Sequence, residues 1–157
     1  MVNFLQVGDA APTFAAPDSE EHSHTLEDFG GSWLVLYFYP RDNTPGCTKE
    51  ALDFSERLEA FAQLGATIVG ISPDSPASHQ KFRAKQGLKI LLLSDPQRTV
   101  AQAYGVWGPK KFMGKESLGI IRSTFLISPQ SHIAHIWHNV RVKNHAQKVL
   151  ETLSTLR

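Results

Sequence analysis

Short apolar runs that alternate with amphipathic segments constrain the fold of this chain more than any other feature. Three runs cover Leu34 to Tyr39, Thr67 to Ser72 and Ile90 to Leu93, and their length and composition predict buried strands. A predicted helix follows each run, and these helices end near Leu64, Gln86 and Tyr104. Unbroken apolar runs suit parallel strands that are covered on both faces, so the pattern predicts an α/β class with a mixed central sheet flanked by helices.

The flanking segments complete this prediction. Residues 1–32 form an N-terminal extension with a short hairpin after Pro12 and a short helix at Thr25 to Phe29, stopped by Gly30. A Gly- and Lys-rich loop follows the third predicted helix. Two strands, Ile120 to Ile127 and Ile133 to Trp137, and a closing helix, Asn144 to Leu156, come last. No linker or repeat interrupts the pattern, so residues 1–157 are expected to form one domain.

Composition narrows the class of protein. The formal net charge is +1 and 41% of the residues are hydrophobic, which gives no reason to expect nucleic acid or a membrane surface as a partner. We expect no signal peptide and no membrane span. The 157 residues contain one cysteine, so no structural disulfide is available within them, and a reducing, cytoplasmic location is expected.

That cysteine, Cys47, stands where the first predicted strand gives way to a helix. Thr44 followed by Pro45 is typical of a helix start, with a capping hydroxyl and then a proline, which places Cys47 in the first helical turn. The free amide groups and the dipole there favour a thiolate, but by only about 0.3–1 kcal/mol. A cation elsewhere in the chain must therefore contribute if the thiolate is to dominate. The alternative is a small buried apolar residue, the usual state of a free cysteine.

Wider motifs connect this segment to a known family. Pro40-xxx-Thr44-xx-Cys47 is the Pro-xxx-Thr-xx-Cys motif of peroxiredoxins, and the run from Phe38 to Ala51 resembles the bacterioferritin comigratory protein, or Q-type, subfamily. The segments Gly8 to Phe14, Tyr104 to Gly108 and Gly119 to Ile127 also resemble that subfamily. The resemblance covers nearly the whole chain, and it implies a thioredoxin-like fold with an N-terminal extension.

The resemblance also implies the roles of four residues. Cys47 is the nucleophile that attacks a peroxide, and Thr44 is a donor to the sulfur or the peroxide. Arg122, placed in the predicted strand from Gly119 to Ile127, is the cation, and its planar guanidinium suits a thiolate and two peroxide oxygens. Pro40 shields the sulfur. Glu50, one turn after Cys47, either orients an arginine or only complements the helix dipole, and it stays outside the catalytic set.

One departure from the subfamily affects the mechanism. Many members carry a resolving cysteine five residues after the first, whereas this chain has Leu52 there and no other cysteine. Turnover is therefore expected to follow a one-cysteine mechanism with an external thiol donor, namely thioredoxin, glutaredoxin or glutathione. Peroxides are the expected substrates, no cofactor is expected, and the protein is expected to be a monomer.

Other readings remain open or are disfavoured. A peroxide sensor or holdase that uses Cys47 as a switch is the open alternative. A thioredoxin-type dithiol oxidoreductase needs a second cysteine where Thr44 stands, and a cysteine hydrolase needs a histidine base beside Cys47. His132, His135 and His138 are not expected to bind a metal, since on a strand the outer two are about 20 Å apart and His135 faces away. Trp107 either lines the pocket or packs in the interior.

Overall fold

The computed structural model describes residues 5–157, apart from the side chain of Phe112. The first elements of the N-terminal extension are β1 (Ala15–Pro17), β2 (Ser23–Thr25) and a 3₁₀ helix (Leu26–Phe29). β1 and β2 pair antiparallel, which agrees with the predicted hairpin and short helix. Residues 1–4 of the predicted extension lie outside the described residues.

The remaining elements build a mixed sheet with helices around it. They are β3 (Trp33–Phe38), α1 (Pro45–Glu56), α2 (Leu58–Gln63), β4 (Ala66–Ser72), α3 (Pro76–Gln86), β5 (Leu91–Ser94), α4 (Thr99–Ala103), β6 (Trp107–Phe112), β7 (Lys115–Ile120), β8 (Ser123–Ile127), β9 (Ile133–Trp137) and α5 (His145–Leu156). The five-stranded sheet has the order β5-β4-β3-β8-β9. β3, β4 and β5 run parallel to one another, β8 is antiparallel to β3, and β9 is antiparallel to β8. This is the predicted α/β class with a mixed central sheet. None of the helices in residues 5–157 combines the length and apolar character that crossing a bilayer requires.

The central strand β3 divides the core into two layers. Leu34, Leu36 and Phe38 pack on one face of the sheet, and Val35 and Tyr37 pack on the other face with Cys47 and α5. This alternation follows from the two-residue period of a strand, and it explains why the run has no polar position.

Gly70 of β4 leaves space for the ring of Tyr37. A Cβ atom at this position would lie 2.7 Å from Cζ of Tyr37 and 2.9 Å from Cδ2 of Leu92. The neighbouring core is fully buried, so those atoms have little room to move.

Two predicted helices are shorter than the sequence pattern indicates. The helix after Cys47 ends at Glu56 instead of Leu64, and α2 begins at Leu58. Arg57 causes the break, since its side chain Nη1 donates to the Asp53 carbonyl at 2.9 Å while its backbone N–H bonds to Phe54. The helix predicted from Asp95 begins only at Thr99. Asp95 still caps it, because its carboxylate accepts from the backbone N–H groups of Val100 and Ala101.

The Gly- and Lys-rich loop predicted after Tyr104 is wrong, because β6 and β7 form an antiparallel hairpin there. Met113 and Gly114 both have positive φ, at 51° and 81°, as the two central residues of a tight hairpin turn require. The predicted strand from Ile120 to Ile127 is also divided. Ile120 ends β7, β8 begins at Ser123, and Arg122 lies in the connection between them.

Candidate active site

Cys47 occupies the third position of α1, after Thr44 at the N-cap and Pro45 at the first position. The prediction that it lies in the first turn is therefore confirmed. The cysteine is 1% exposed. The prediction that the Thr44 hydroxyl caps the helix is wrong, since that hydroxyl donates to the carbonyl of Arg41 at 2.9 Å. Asn43, with φ of 62°, turns the loop so that this carbonyl lies within reach.

Arg122 brings a permanent positive charge to the sulfur. Its Nη2 donates to Sγ of Cys47 at 3.2 Å, and its Nη1 donates to Oε1 of Glu50 at 2.6 Å. Gly46 makes this approach possible, because a Cβ there would lie 3.3 Å from Nη2. The backbone of Arg122 is fixed by a bond from Val140 N–H to its carbonyl, at 2.9 Å. The connection between β7 and β8 thus presents the guanidinium across the first turn of α1.

The carboxylate of Glu50 is the functional group that sequence reasoning left undecided. It is 1% exposed and forms an ion pair with Arg122, whose side chain is half-buried. Burial raises the pKa of Glu50 to about 7, although the Arg122 charge and hydrogen bond act in the opposite direction. Among the described residues, Oε2 of Glu50 has no hydrogen-bond partner. The signal for this role was its spacing, because residues 47 and 50 share one face of a helix.

The charge of Arg122 is stabilised by its two partners. Burial by itself would lower the pKa of Arg122, but Glu50 and Cys47 outweigh it and raise the pKa above its ordinary value. The guanidinium therefore stays charged, with one nitrogen on the carboxylate and one on the sulfur. Such an arrangement places a donor beside the sulfur, where it can also bind an oxygen that reaches the sulfur.

A buried polar network holds the loop that precedes α1. The carboxylate of Asp42 accepts from Tyr39 Oη at 2.7 Å, from Ser78 Oγ at 2.8 Å and from Nδ1 of His79 at 2.7 Å. The other ring nitrogen of His79, Nε2, lies 2.9 Å from the Leu93 carbonyl. Both ring nitrogens of His79 therefore lie beside oxygen atoms, Nδ1 at the Asp42 carboxylate and Nε2 at the Leu93 carbonyl. The pair of Asp42 and His79 was not predicted from the sequence, because its partners lie 37 residues apart.

The same cluster is not suited to a metal ion. Ligand atoms of Asp42, Asp74 and His79 lie within 4.8 Å of one another. However, Asp42 and His79 are joined directly at 2.7 Å, whereas two ligands of a tetrahedral zinc ion lie more than about 3 Å apart. Asp74 is also engaged, since its Oδ2 accepts from the Asp42 amide and from Ser72 Oγ.

The other residues named from sequence have separate positions. Pro40 lies two residues after the end of β3 and lines an open cavity of about 370 Å³ with Trp107 and Lys110. His132 bonds to the Gln130 carbonyl at 3.1 Å. His135 packs on Trp137 with ring centres 4.2 Å apart, and His138 lies edge-on to Phe125.

Comparison with known proteins identifies the family of the chain. Residues 7–136 match the model of the AhpC/TSA family. The chain is 44% identical to peroxiredoxin Bcp of Bacillus subtilis over 152 residues, covering 97% of each chain. It is 48% identical to a putative peroxiredoxin bcp of Helicobacter pylori over 149 residues, covering 95% of this chain and 98% of the other.

Solved structures give the same result. A cysteine-to-serine mutant of Xylella fastidiosa PrxQ superposes with a TM-score of 0.93 at 39% identity, covering 98% of each chain. The bacterioferritin comigratory protein of Xanthomonas campestris, described with alkyl peroxide reduction activity, gives a TM-score of 0.87 at 43% identity over 91% of each chain. With these relatives, a thioredoxin-like fold and one cysteine in 157 residues, the chain belongs to the peroxiredoxins, in the bacterioferritin comigratory protein (Q-type) subfamily, and is a thiol peroxidase without a resolving cysteine.

Proposed function

We propose that the chain reduces hydrogen peroxide and organic hydroperoxides through a sulfenic acid on Cys47, with an external thiol as reductant. The observation that carries this proposal is the 3.2 Å contact between Nη2 of Arg122 and Sγ of Cys47. It joins the one cysteine of the sequence to a half-buried, charge-stabilised cation. The alkyl peroxide reduction described for the Xanthomonas campestris relative supports organic hydroperoxides as substrates.

The first step is attack of the Cys47 thiolate on one peroxide oxygen. The O–O bond breaks, Cys47 gains a hydroxyl group as sulfenic acid, and the other oxygen leaves as hydroxide or alkoxide and is then protonated. Negative charge moves from the sulfur to the leaving oxygen during this step. Arg122 can follow that charge, because its guanidinium presents several donors in one plane beside the sulfur.

The remaining site residues support this step in our proposal. Glu50 orients Arg122 through the 2.6 Å bond to Nη1. Thr44 lies at the N-cap of α1, three positions before Cys47, and its hydroxyl serves as a donor to the sulfur or the peroxide. To do so it must turn away from the Arg41 carbonyl, to which it now donates. Pro40, which has no N–H group, shields the sulfur side of the site.

The second step needs a thiol from outside the chain. Leu52 stands five residues after Cys47, and we propose that thioredoxin, glutaredoxin or glutathione reduces the sulfenic acid through a mixed disulfide. The lone cysteine supports a reducing, cytoplasmic location. We infer further that residues 1–157 act as one domain and as a monomer. The large apolar side chains that are exposed in the described part of the chain are few, namely Val7, Met113, Leu118 and Leu156.

Steady-state turnover tests the proposal. Hydrogen peroxide and an organic hydroperoxide are each supplied with thioredoxin, glutaredoxin or glutathione and the matching reductase, and NADPH oxidation is followed. We expect sustained turnover with at least one donor and background rates for Cys47→Ser. One oxidation per molecule with no cycling by any donor would instead favour a peroxide sensor.

A further inference from the structure

A cationic cavity shares Pro40 with the proposed peroxide site, and the peroxide step uses none of its basic side chains. Its volume is about 370 Å³, and its lining includes Pro40, Arg98, Trp107, Lys110 and Lys111. The lining carries three basic side chains and no carboxylate. An open cavity of one charge sign raises the local concentration of oppositely charged small molecules.

Arg98 provides a fixed and uncompensated charge. Its guanidinium carbon lies 4.6 Å from the ring centre of Trp107, and its one side-chain hydrogen bond, to the Pro96 carbonyl, is 3.5 Å long. No acidic side chain forms an ion pair with it among residues 5–157. Its buried Nε has no partner in the same part of the chain. The ring therefore holds the cation in place while its charge remains available.

Lys110 is the second cation of this cavity. A Cβ atom on Gly119 would lie 2.9 Å from Cδ of Lys110, so the glycine lets the lysine chain lie flat on the hairpin. Burial and the Arg122 charge lower the pKa of Lys110, while Cys47 raises it. Lys111 is more exposed and lies opposite Glu116 in the β6–β7 register, so Arg98 and Lys110 are the stronger pair.

We propose that this cavity binds the carboxylate of a small anionic thiol, which is the reductant of oxidised Cys47. This inference rests on the proposed function, because it assigns a binding site to the second step of that reaction. Hydrogen peroxide is uncharged and gains nothing from Arg98 and Lys110. The cations favour an acidic thiol in two ways. They bind its carboxylate, and they stabilise its sulfur as the more nucleophilic thiolate.

The chemistry of this step balances without any further component. The thiolate of the reductant attacks the sulfur of the Cys47 sulfenic acid, an S–S bond forms, and hydroxide leaves and takes up a proton as water. A second thiolate attacks the mixed disulfide at the reductant sulfur. The reductant leaves as its symmetric disulfide, and Cys47 returns to the thiolate.

Glutathione and its diethyl ester form a matched pair of probes, because only the carboxylates differ. Reduction of peroxide-oxidised protein is followed by intact mass, with rates expressed per thiolate. We expect glutathione to react about tenfold faster than the ester, at the low end of electrostatic steering, and its advantage to fall with added salt. Arg98→Gln and Lys110→Gln should each remove most of this advantage. Lys115→Gln, which removes a cation of the same hairpin outside the cavity, should retain it.

Equal rates for the two thiols, or an advantage that survives both substitutions, would overturn the proposal. So would a preference confined to the substrate, measured as faster oxidation by a carboxylate-bearing hydroperoxide than by its methyl ester. Binding of unreactive S-methylglutathione tests the binding site independently of the peroxidase activity. It is observed at the indole resonance of Trp107 and should be weakened in Arg98→Gln. If Cys47 is not oxidised but this ligand binds, the peroxidase proposal fails and the site stands. Absence of binding removes the site.

Discussion

Replacing Glu50 by Gln tests the electrostatics of the site most sharply, because it removes a buried charge and keeps the shape of the side chain. In the native protein, burial raises the pKa of Glu50 from 4.5 to about 7. Between these two values the unfolded chain has lost the proton and the folded chain still holds it. Folding stability therefore falls as the pH rises from 4.5 towards 7, and it is constant with respect to this group above that range.

The size of this effect follows from the same values. The difference between 4.5 and about 7 corresponds to about 3 kcal/mol, since one pKa unit equals about 1.36 kcal/mol. The Glu50→Gln protein lacks this loss. We therefore expect the free energy of unfolding of Glu50→Gln, relative to that of the native protein, to increase by about 3 kcal/mol from pH 4.5 to pH 8. A constant offset from the new amide does not alter that slope.

The assay is urea unfolding of both reduced proteins at several pH values from 4.5 to 8. Other titrating groups, such as His145, whose pKa is lowered by burial to about 4, contribute equally to both proteins and cancel in the difference. Glu56→Gln removes an exposed carboxylate of the same helix and serves as the control with no change in slope. If the difference in free energy of unfolding between the native and Glu50→Gln proteins stays constant to within about 1 kcal/mol over this pH range, Glu50 does not have the raised pKa.

Three further substitutions test other parts of the site. Arg122→Ala should slow oxidation of Cys47 by a factor of about 100, as for loss of one oxyanion donor, and should reduce the thiolate absorbance near 240 nm at neutral pH; unchanged values would assign the cation elsewhere. His79→Gln cannot keep both buried contacts of the ring, to Asp42 and to the Leu93 carbonyl, so it should destabilise the protein by about 1–3 kcal/mol and increase amide exchange around Asp42; native-like exchange would contradict this structural role of His79. Thr44→Val should slow oxidation by hydrogen peroxide at least tenfold with little change in stability, as the hydroxyl caps no helix; an unchanged rate would remove Thr44 from the mechanism.

The parts of the fold that sequence predicted are those with local causes. The strands follow from apolar runs, and α3 begins and ends where predicted because Ser75 caps it and Gly87 adopts positive φ at its end. The β6–β7 hairpin was missed because its residues are mostly polar or glycine, and it has few of the apolar positions that identify a strand. Gly114 was the one local feature in favour of a turn, and Met113 before it is not a residue type that commonly adopts positive φ.

The candidate site divides in the same way. Cys47 and its place in the first turn were predictable from one segment, and Arg122 was found through the family motif. Two features were not predictable, namely the raised pKa of Glu50 and the contact between Asp42 and His79. Both depend on burial between elements that are distant in sequence. Thr44 shows the opposite case, in which a correct N-cap position came with a wrong hydrogen bond.

Intact-protein mass spectrometry after one equivalent of hydrogen peroxide, with no thiol donor present, shows whether Cys47 is oxidised to a sulfenic acid that persists until a thiol is supplied. The sample is the reduced native protein, and Cys47→Ser is the control. We expect the native protein to become a monomer heavier by one oxygen. Excess peroxide should convert it to a species heavier by two oxygens, while Cys47→Ser keeps its mass. An unchanged mass, or a disulfide-linked dimer as the main product, would contradict a Cys47 sulfenic acid that waits for an external thiol.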